Sequence, residues 1–206
     1  LYTQIYNKKA KCIGNPFTFN VNEIKISNYV PHRIVWVARI DGVKRPLDLI
    51  PVMKLVTREI SDAKLVIVGK GDEKLEAELR KLIKENHLEK NIECAGFTMD
   101  VGRYYSEASL FVSTSSSEGY GLTFYEAQAY GLPIVCYEMP WLEVEESGAG
   151  VVSVPQENVV LMAQAIIDIL KDSDKVKKLG AAGRKHIEEV SSIDIGAVSY
   201  THLRAH

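Results

Sequence analysis

Six short apolar runs, each of four or five residues and each separated from the next by a segment long enough to cross over, constrain this chain more than anything else in it. Arg33–Val37, Lys64–Val68, Asn91–Cys94, Ser109–Val112, Pro133–Tyr137 and Gly150–Val154 are too short for helices and mostly rich in Val and Ile, so they read as strands. Connections of this length exclude hairpins and argue for parallel strands with helices packed on the sheet. Leu75, Leu79, Leu82 and Ile83 recur at three- and four-residue spacing amid Lys and Glu, the pattern of a helix lying on a sheet. Leu161, Ala165, Ile166 and Ile169 repeat it behind Asn158, which reads as a helix cap. The expected fold class is α/β, a doubly wound, mostly parallel, Rossmann-like sheet.

Composition narrows the function. A chain of 206 residues with 46% apolar content can bury one α/β core without needing a second domain. Its net charge of −2, with Lys and Glu interspersed, gives no electrostatic footprint for nucleic acid, and no such partner is expected. No stretch approaches the roughly 20 apolar residues of a transmembrane helix, and no secretory signal opens the chain, so a cytoplasmic location is expected. Cys12, Cys94 and Cys136 are odd in number and far apart, which suits free thiols. His32, His87 and His186 are scattered, no Cys/His spacing suggests zinc and no paired-aspartate loop suggests magnesium, so no metal is expected.

The chemistry concentrates where strands end. Ser113–Ser117 leave the fourth run at its carboxyl end, where open α/β sheets bind ligands, and lead into Glu118-Gly119-Tyr120-Gly121-Leu122-Thr123 and a helix expected to reach about Tyr130. Gly119 and Gly121 let a ligand approach the main chain, and a helix start offers unpaired N–H groups to a phosphate. Glu118 and Glu126, with seven residues between them, could hold hydroxyls. Thr123-Phe124-Tyr125-Glu126 is also a literal capping box, in which Glu126 would only satisfy the Thr123 N–H. After the first run, Arg39, Lys44 and Arg45 precede Pro46, which can start a helix, and aim two or three cations at the same crevice; a solvated basic turn is the plainer alternative. Val68-Gly69-Lys70-Gly71 lacks the third glycine of G-x-G-x-x-G, Lys74 standing there, which argues against a nicotinamide fingerprint and reads as a simple tight turn.

Taken together, Arg39 followed by Lys44, the Val68–Gly71 turn, Gly96-Phe97 and Glu118-Gly-Tyr-Gly-Leu with Glu126 resemble the carboxyl-terminal, donor-binding domain of retaining family 4 glycosyltransferases of the GT-B fold. The likeness covers about residues 12–190. It implies that Glu126 holds the ribose hydroxyls, Glu118 faces the donor sugar, and Arg39 and Lys44 neutralise the diphosphate. Leu122 and Thr123 would offer main-chain N–H groups to the β-phosphate, and Gly96, Phe97 and Thr98 would flank the base, with Gly69 in the crevice wall. The implied enzyme is a metal-independent, cofactor-free hexosyltransferase that takes a sugar, expected as its uridine diphosphate, to a glycan or lipid-linked acceptor. The resemblance also implies an amino-terminal acceptor domain, which this chain would need for activity and through which the full-length protein could sit peripherally at the inner face of the membrane. Two alternatives stay open: a nucleotide-sugar 2-epimerase of the same architecture, and a non-catalytic nucleotide-binding module.

The ends read differently from the middle. Residues 1–16, closing on Lys8–Pro16, resemble the end of an interdomain connection; residues 17–190 form the expected nucleotide-sugar-binding domain. Residues 191–206 look non-native, because Ser199–His206 resembles translated adapter read-through, and His202 and His206 are accordingly not read as metal ligands.

Overall fold

The computed structural model describes residues 20–139, 142, 144 and 148–191. The expected connection at 1–16, residues 192–206 of the expected tail, and Cys12 lie outside them. The order of elements is β1 (Arg33–Val37), α1 (Leu49–Glu59), β2 (Lys64–Val68), α2 (Glu73–Glu85), β3 (Ile92–Gly96), α3 (Gly102–Glu107), β4 (Leu110–Ser113), α4 (Leu122–Ala129), β5 (Ile134–Tyr137), β6 (Val151–Val154), α5 (Val159–Leu170) and α6 (Ser173–Ser191). All six strands expected from the sequence are present, with ends moved by one or two residues where a strand was drawn too early, as at β3 and β4. Cys94 is half-buried and Cys136 buried, both as free thiols.

The strands form one parallel sheet in the order β3-β2-β1-β4-β5-β6. Alternate side chains of each strand point to opposite faces, so each strand feeds two cores. Ile34 and Trp36 of β1, Leu65 and Ile67 of β2, and Leu110 and Val112 of β4 pack with Met53 of α1, Leu79 of α2 and Ile166 of α5. Val35, Val66 and Phe111 pack on the other face with Tyr105 of α3, Phe124 and Tyr125 of α4 and Ile187 of α6. Runs buried on both faces are what a parallel sheet covered by helices requires.

One expected stripe is corrected. α5 is capped by Asn158, whose Oδ1 accepts from the Leu161 N–H at 3.0 Å, but Leu161 itself is exposed. Ile166 and Ile169 are buried as expected, and Met162 takes the inward place expected of Leu161. In a segment that is almost wholly apolar, periodicity cannot choose the inward face, and contact with α1 and β5 does.

The last helix is seated by what it lacks. Gly180 of α6 lies against the Gly131 carbonyl oxygen, where any Cβ would collide, and Gly183 lies beneath Gly150, which has φ +74°. Arg184 then donates to the carbonyls of Val21 and Ile24 at 2.9 Å and to that of Ala129, the last residue of α4. A helix end leaves such carbonyls without intrahelical donors, and the guanidinium satisfies this one. Helix propensity alone would make Gly180→Ala stabilising by about 1 kcal/mol. The close backbone approach predicts the opposite: a loss of about 2–4 kcal/mol in denaturant unfolding, of the size that overpacking produces.

Candidate functional site

The reversal in strand order between β1 and β4 places the exits of these two strands side by side, with the following helices on opposite faces of the sheet. The β1 exit is folded by Asp41, whose Oδ1 accepts from the N–H groups of Val43 and Lys44, each at 3.0 Å, an Asx turn. It is anchored from below by the β4 exit. The Trp36 indole donates to Thr114 Oγ1 at 3.1 Å, the Thr114 hydroxyl donates to the Lys44 carbonyl at 2.8 Å, and the Ser116 N–H donates to the Val43 carbonyl at 2.8 Å.

This stitching presents Lys44 to Glu118. The ammonium Nζ lies 2.7 Å from Glu118 Oε2, and the Ser115 hydroxyl donates to Oε1 at 2.7 Å. Their side chains are 19% and 12% exposed, so the pair is shielded from the solvent that makes open surface pairs worth little. The sequence placed these residues 74 positions apart, and the structure makes them one charge unit. Arg39 stays outside that unit. Its side chain is 77% exposed, with Asp41 Oδ2 at 4.0 Å, and it lines a crevice of about 280 Å³ with Gly69, Phe97, Thr98 and Val101.

The glycine pair of that crevice is explained by backbone pairing beyond the strand ends. The Ala38 N–H donates to the Val68 carbonyl at 3.2 Å, the Ile40 N–H to Lys70 at 3.3 Å, and the Asp72 N–H to Ile40 at 2.8 Å. A Cβ on Gly69 or Gly71 would collide with the carbonyl of Ala38 or Ile40. The segment is therefore a wall formed by main chain pressed on main chain, with Gly69 in addition donating to the Gly96 carbonyl at 2.9 Å. Gly96 ends β3 with φ +75°, and Phe97 beyond it is 70% exposed at the crevice. Thr98 Oγ1 accepts from the Asp100 N–H at 3.0 Å.

The start of α4 excludes the capping box. The helix begins after Gly121, which has φ +72° and supplies no side-chain cap, so Thr123 is already inside the helix and the capping box does not form. Glu126 Oε2 instead accepts from the Tyr105 hydroxyl at 2.9 Å. The cap that would have supported a plain structural role is absent. Among the described residues the N–H groups of Leu122 and Thr123 have no acceptor, and a Cβ on Gly119 would meet nothing. Burial pushes the Glu126 carboxyl above the usual carboxylate range, partly opposed by the Tyr105 hydrogen bond. Burial, followed by the Glu126 charge, holds the Tyr105 phenol well above its ordinary value.

Arg45 corrects the expectation of a third cation. With φ +49° it turns away from Lys44, donating to Asp48 Oδ2 at 2.9 Å and to Glu157 Oε1 at 2.6 Å, while the Tyr137 hydroxyl donates to the same Asp48 oxygen at 2.9 Å. Asp48 collects both donors because Pro46 and Asp48 form a short 3-10 turn into α1. Sequence reasoning also missed Tyr105, Asp41 and Thr114. Asp41-Gly42 carried a turn signal, whereas Tyr105 and Thr114 carried none.

The family model for glycosyl transferases group 1 matches residues 23–186. Poly(glycerol-phosphate) alpha-glucosyltransferase of Bacillus subtilis (strain 168) is 30% identical over 162 residues, 78% of this chain and 24% of that protein. Poly(ribitol-phosphate) alpha-N-acetylglucosaminyltransferase of Staphylococcus aureus (strain COL) is 29% identical over 190 residues, 88% of this chain and 38% of that protein. The chain thus spans well under half the length of either. The crystal structure of TarM superposes with TM-score 0.81 at 24% identity over 97% of this chain and 41% of the other. That of Anabaena Alr3699/HepE in complex with UDP and glucose gives 0.82 at 18% identity over 97% and 58%.

The environment of Glu126 fixes the sign of its effect on stability. A carboxyl whose folded pKa is raised contributes stability below its unfolded pKa, and this is lost as pH rises through the folded value. At pH 7 the buried carboxylate is therefore a net cost. Glu126→Gln, which keeps an acceptor for Tyr105, should raise the thermal midpoint at pH 7, and the gain should shrink as the scans are repeated toward pH 4. A capping role, which glutamine fills as well as glutamate, would instead leave the midpoint nearly unchanged at every pH.

Proposed function

Because the chain belongs to the glycosyl transferases group 1 family, we propose that it is the donor-binding domain of a retaining, metal-independent hexosyltransferase that takes its sugar from a nucleoside diphosphate. The observation that carries this reading is the Lys44–Glu118 pair at the paired exits of β1 and β4, beside the open N–H groups at the start of α4. Arg39 and Lys44 are the cations for the diphosphate, and Leu122 and Thr123 donate to its β-phosphate. Glu118 takes hydroxyls of the sugar, and Glu126 takes the ribose. Phe97 and Thr98, in the crevice with Gly69, flank the base.

Cleaving the sugar–phosphate bond builds negative charge on the leaving diphosphate, and fixed donors stabilise that charge without having to reorganise. Lys44 is held at that point by Glu118 and by the Thr114 contact to its carbonyl. Exposed Arg39 is free to close on the phosphates once they arrive. Uridine is the base we propose, supported by the UDP held in the solved HepE and TarM complexes. A polymer or lipid-linked acceptor, bound through a further domain, is supported by the poly(glycerol-phosphate) and poly(ribitol-phosphate) enzymes among the relatives. We place the enzyme in the cytoplasm at the inner membrane face; no helix among the described residues is long and apolar enough to cross a membrane.

Two measurements test the reading. Calorimetric titration with uridine, guanosine and adenosine diphosphates should show binding of uridine diphosphate in preference to the others, and Glu126→Ala should weaken it by about 1.5–3 kcal/mol for each charged hydrogen bond lost. Binding of none, or undiminished binding by the folded variant, would refute it. In the full-length enzyme, Arg39→Ala should lower kcat by roughly 10²–10³-fold and leave the thermal midpoint almost unchanged, since its side chain is solvent-exposed. Lys44→Met should lower both, because it strands Glu118 without its partner.

A further inference from the structure

Glu126 sits in a half-buried position on α4 with one carboxylate oxygen engaged and the other free. Oε2 takes the Tyr105 hydroxyl at 2.9 Å, and Oε1 has no partner among the described residues. Tyr105 itself has almost no freedom. It is 1% exposed, its ring stacks on Tyr130 with centroids 5.3 Å apart, and it tilts against Phe111 at 6.1 Å. The stack is made possible at Gly102, where a Cβ would collide with the Tyr130 hydroxyl.

The hydroxyl also connects two walls of the site. Tyr105 lies on α3, and its N–H donates to the carbonyl of Val101, a residue that lines the crevice with Phe97 and Thr98. Glu126 lies on α4, whose start carries the open N–H groups of Leu122 and Thr123. A carboxylate on a flexible two-carbon stem would otherwise rotate among staggered positions, and a diol is held only if one oxygen is presented in a fixed direction.

We propose that Tyr105 is the positioning residue for Glu126, its hydroxyl holding Oε2 so that Oε1 stays available to the ribose hydroxyls. The inference rests on the reading of Glu126 as the ribose ligand. Tyr105 touches neither sugar nor phosphate and acts through the carboxylate. The same bond favours the charged form of Glu126, which is the form that can accept from two hydroxyls. Tyr105 and Tyr130 are the titratable groups whose charge couples to it, with Asp100 beyond Tyr130.

The test uses the 206-residue chain with Tyr105→Phe, which removes only the hydroxyl, beside Glu126→Gln. Carboxyl ¹³C NMR titration without ligand follows Glu126 directly, and calorimetry with uridine diphosphate follows function. Tyr105→Phe should move the Glu126 midpoint to higher pH and weaken nucleotide binding about tenfold at neutral pH, with the acid-side loss of affinity moving to higher pH by the same amount. An unmoved midpoint would overturn the contact. A moved midpoint with unchanged affinity, in a chain where Glu126→Gln abolishes binding, would overturn the positioning role and leave Glu126 as ligand. Full binding by Glu126→Gln would remove the ribose reading and this inference with it. Where the phenylalanine variant does not fold, Tyr105→3-fluorotyrosine, a stronger donor of nearly the same shape, should move the midpoint to lower pH; no movement overturns the proposal.

Discussion

The pairing of β1 with β4 is the constraint on which the rest of this molecule depends. The strand register runs through Ile34↔Leu110 and Val35↔Phe111 and stops two residues short of each strand's end. From there the chains diverge, one toward α1 on one face and the other toward α4 on the opposite face. Divergence opens a space that neither helix fills. The Trp36–Thr114–Lys44 chain and the Ser116–Val43 bond hold that space at a fixed width, because each uses a buried or half-buried donor whose alternative partner would be nothing.

Within that space the charges are arranged at some expense to stability. Lys44 and Glu118 neutralise each other across two loops, so neither is left desolvated alone. Among the described residues no cation pairs with Glu126. Its carboxylate is held by a phenol hydroxyl in a place where burial favours the neutral acid. Glu126 would thus fold better uncharged, on a helix whose Leu122 and Thr123 N–H groups have no acceptor among the described residues. Arg45, Asp48 and Glu157 do the opposite: their charges are spent on one another, with the Tyr137 hydroxyl added on Asp48, and tie the β1 exit to the start of α5.

Backbone approach shapes the domain as much as side-chain packing does. Gly69 and Gly71 let the sheet continue past β1 and β2 as bare main chain, forming one wall of the crevice; Gly180 and Gly183 let α6 settle on the turns before β5 and β6. Gly69, Gly71 and Gly180 each sit where a methyl group would hold two backbones apart. Arg184 then joins the carbonyls of Val21 and Ile24 to that of Ala129 in α4, fixing from behind the helix that carries Glu126.

Sequence alone determined the six strands, their parallel arrangement and the two exits that carry Arg39, Lys44, Glu118 and Glu126, because strand length, helical spacing and turn residues are local properties that the chain displays directly. It left Glu126 poised between a cap and a ligand and gave Arg45 to the wrong crevice, and it took Leu161 for core. Those questions turn on what lies across space. Tyr105 reaches Glu126 from 21 residues away, Glu157 reaches Arg45 from 112, and α1 selects the inward face of α5. Contacts at such separations leave no periodic trace along the chain, and only the tertiary structure, by bringing the partners to hydrogen-bonding distance, decides which of two chemically reasonable roles a side chain takes.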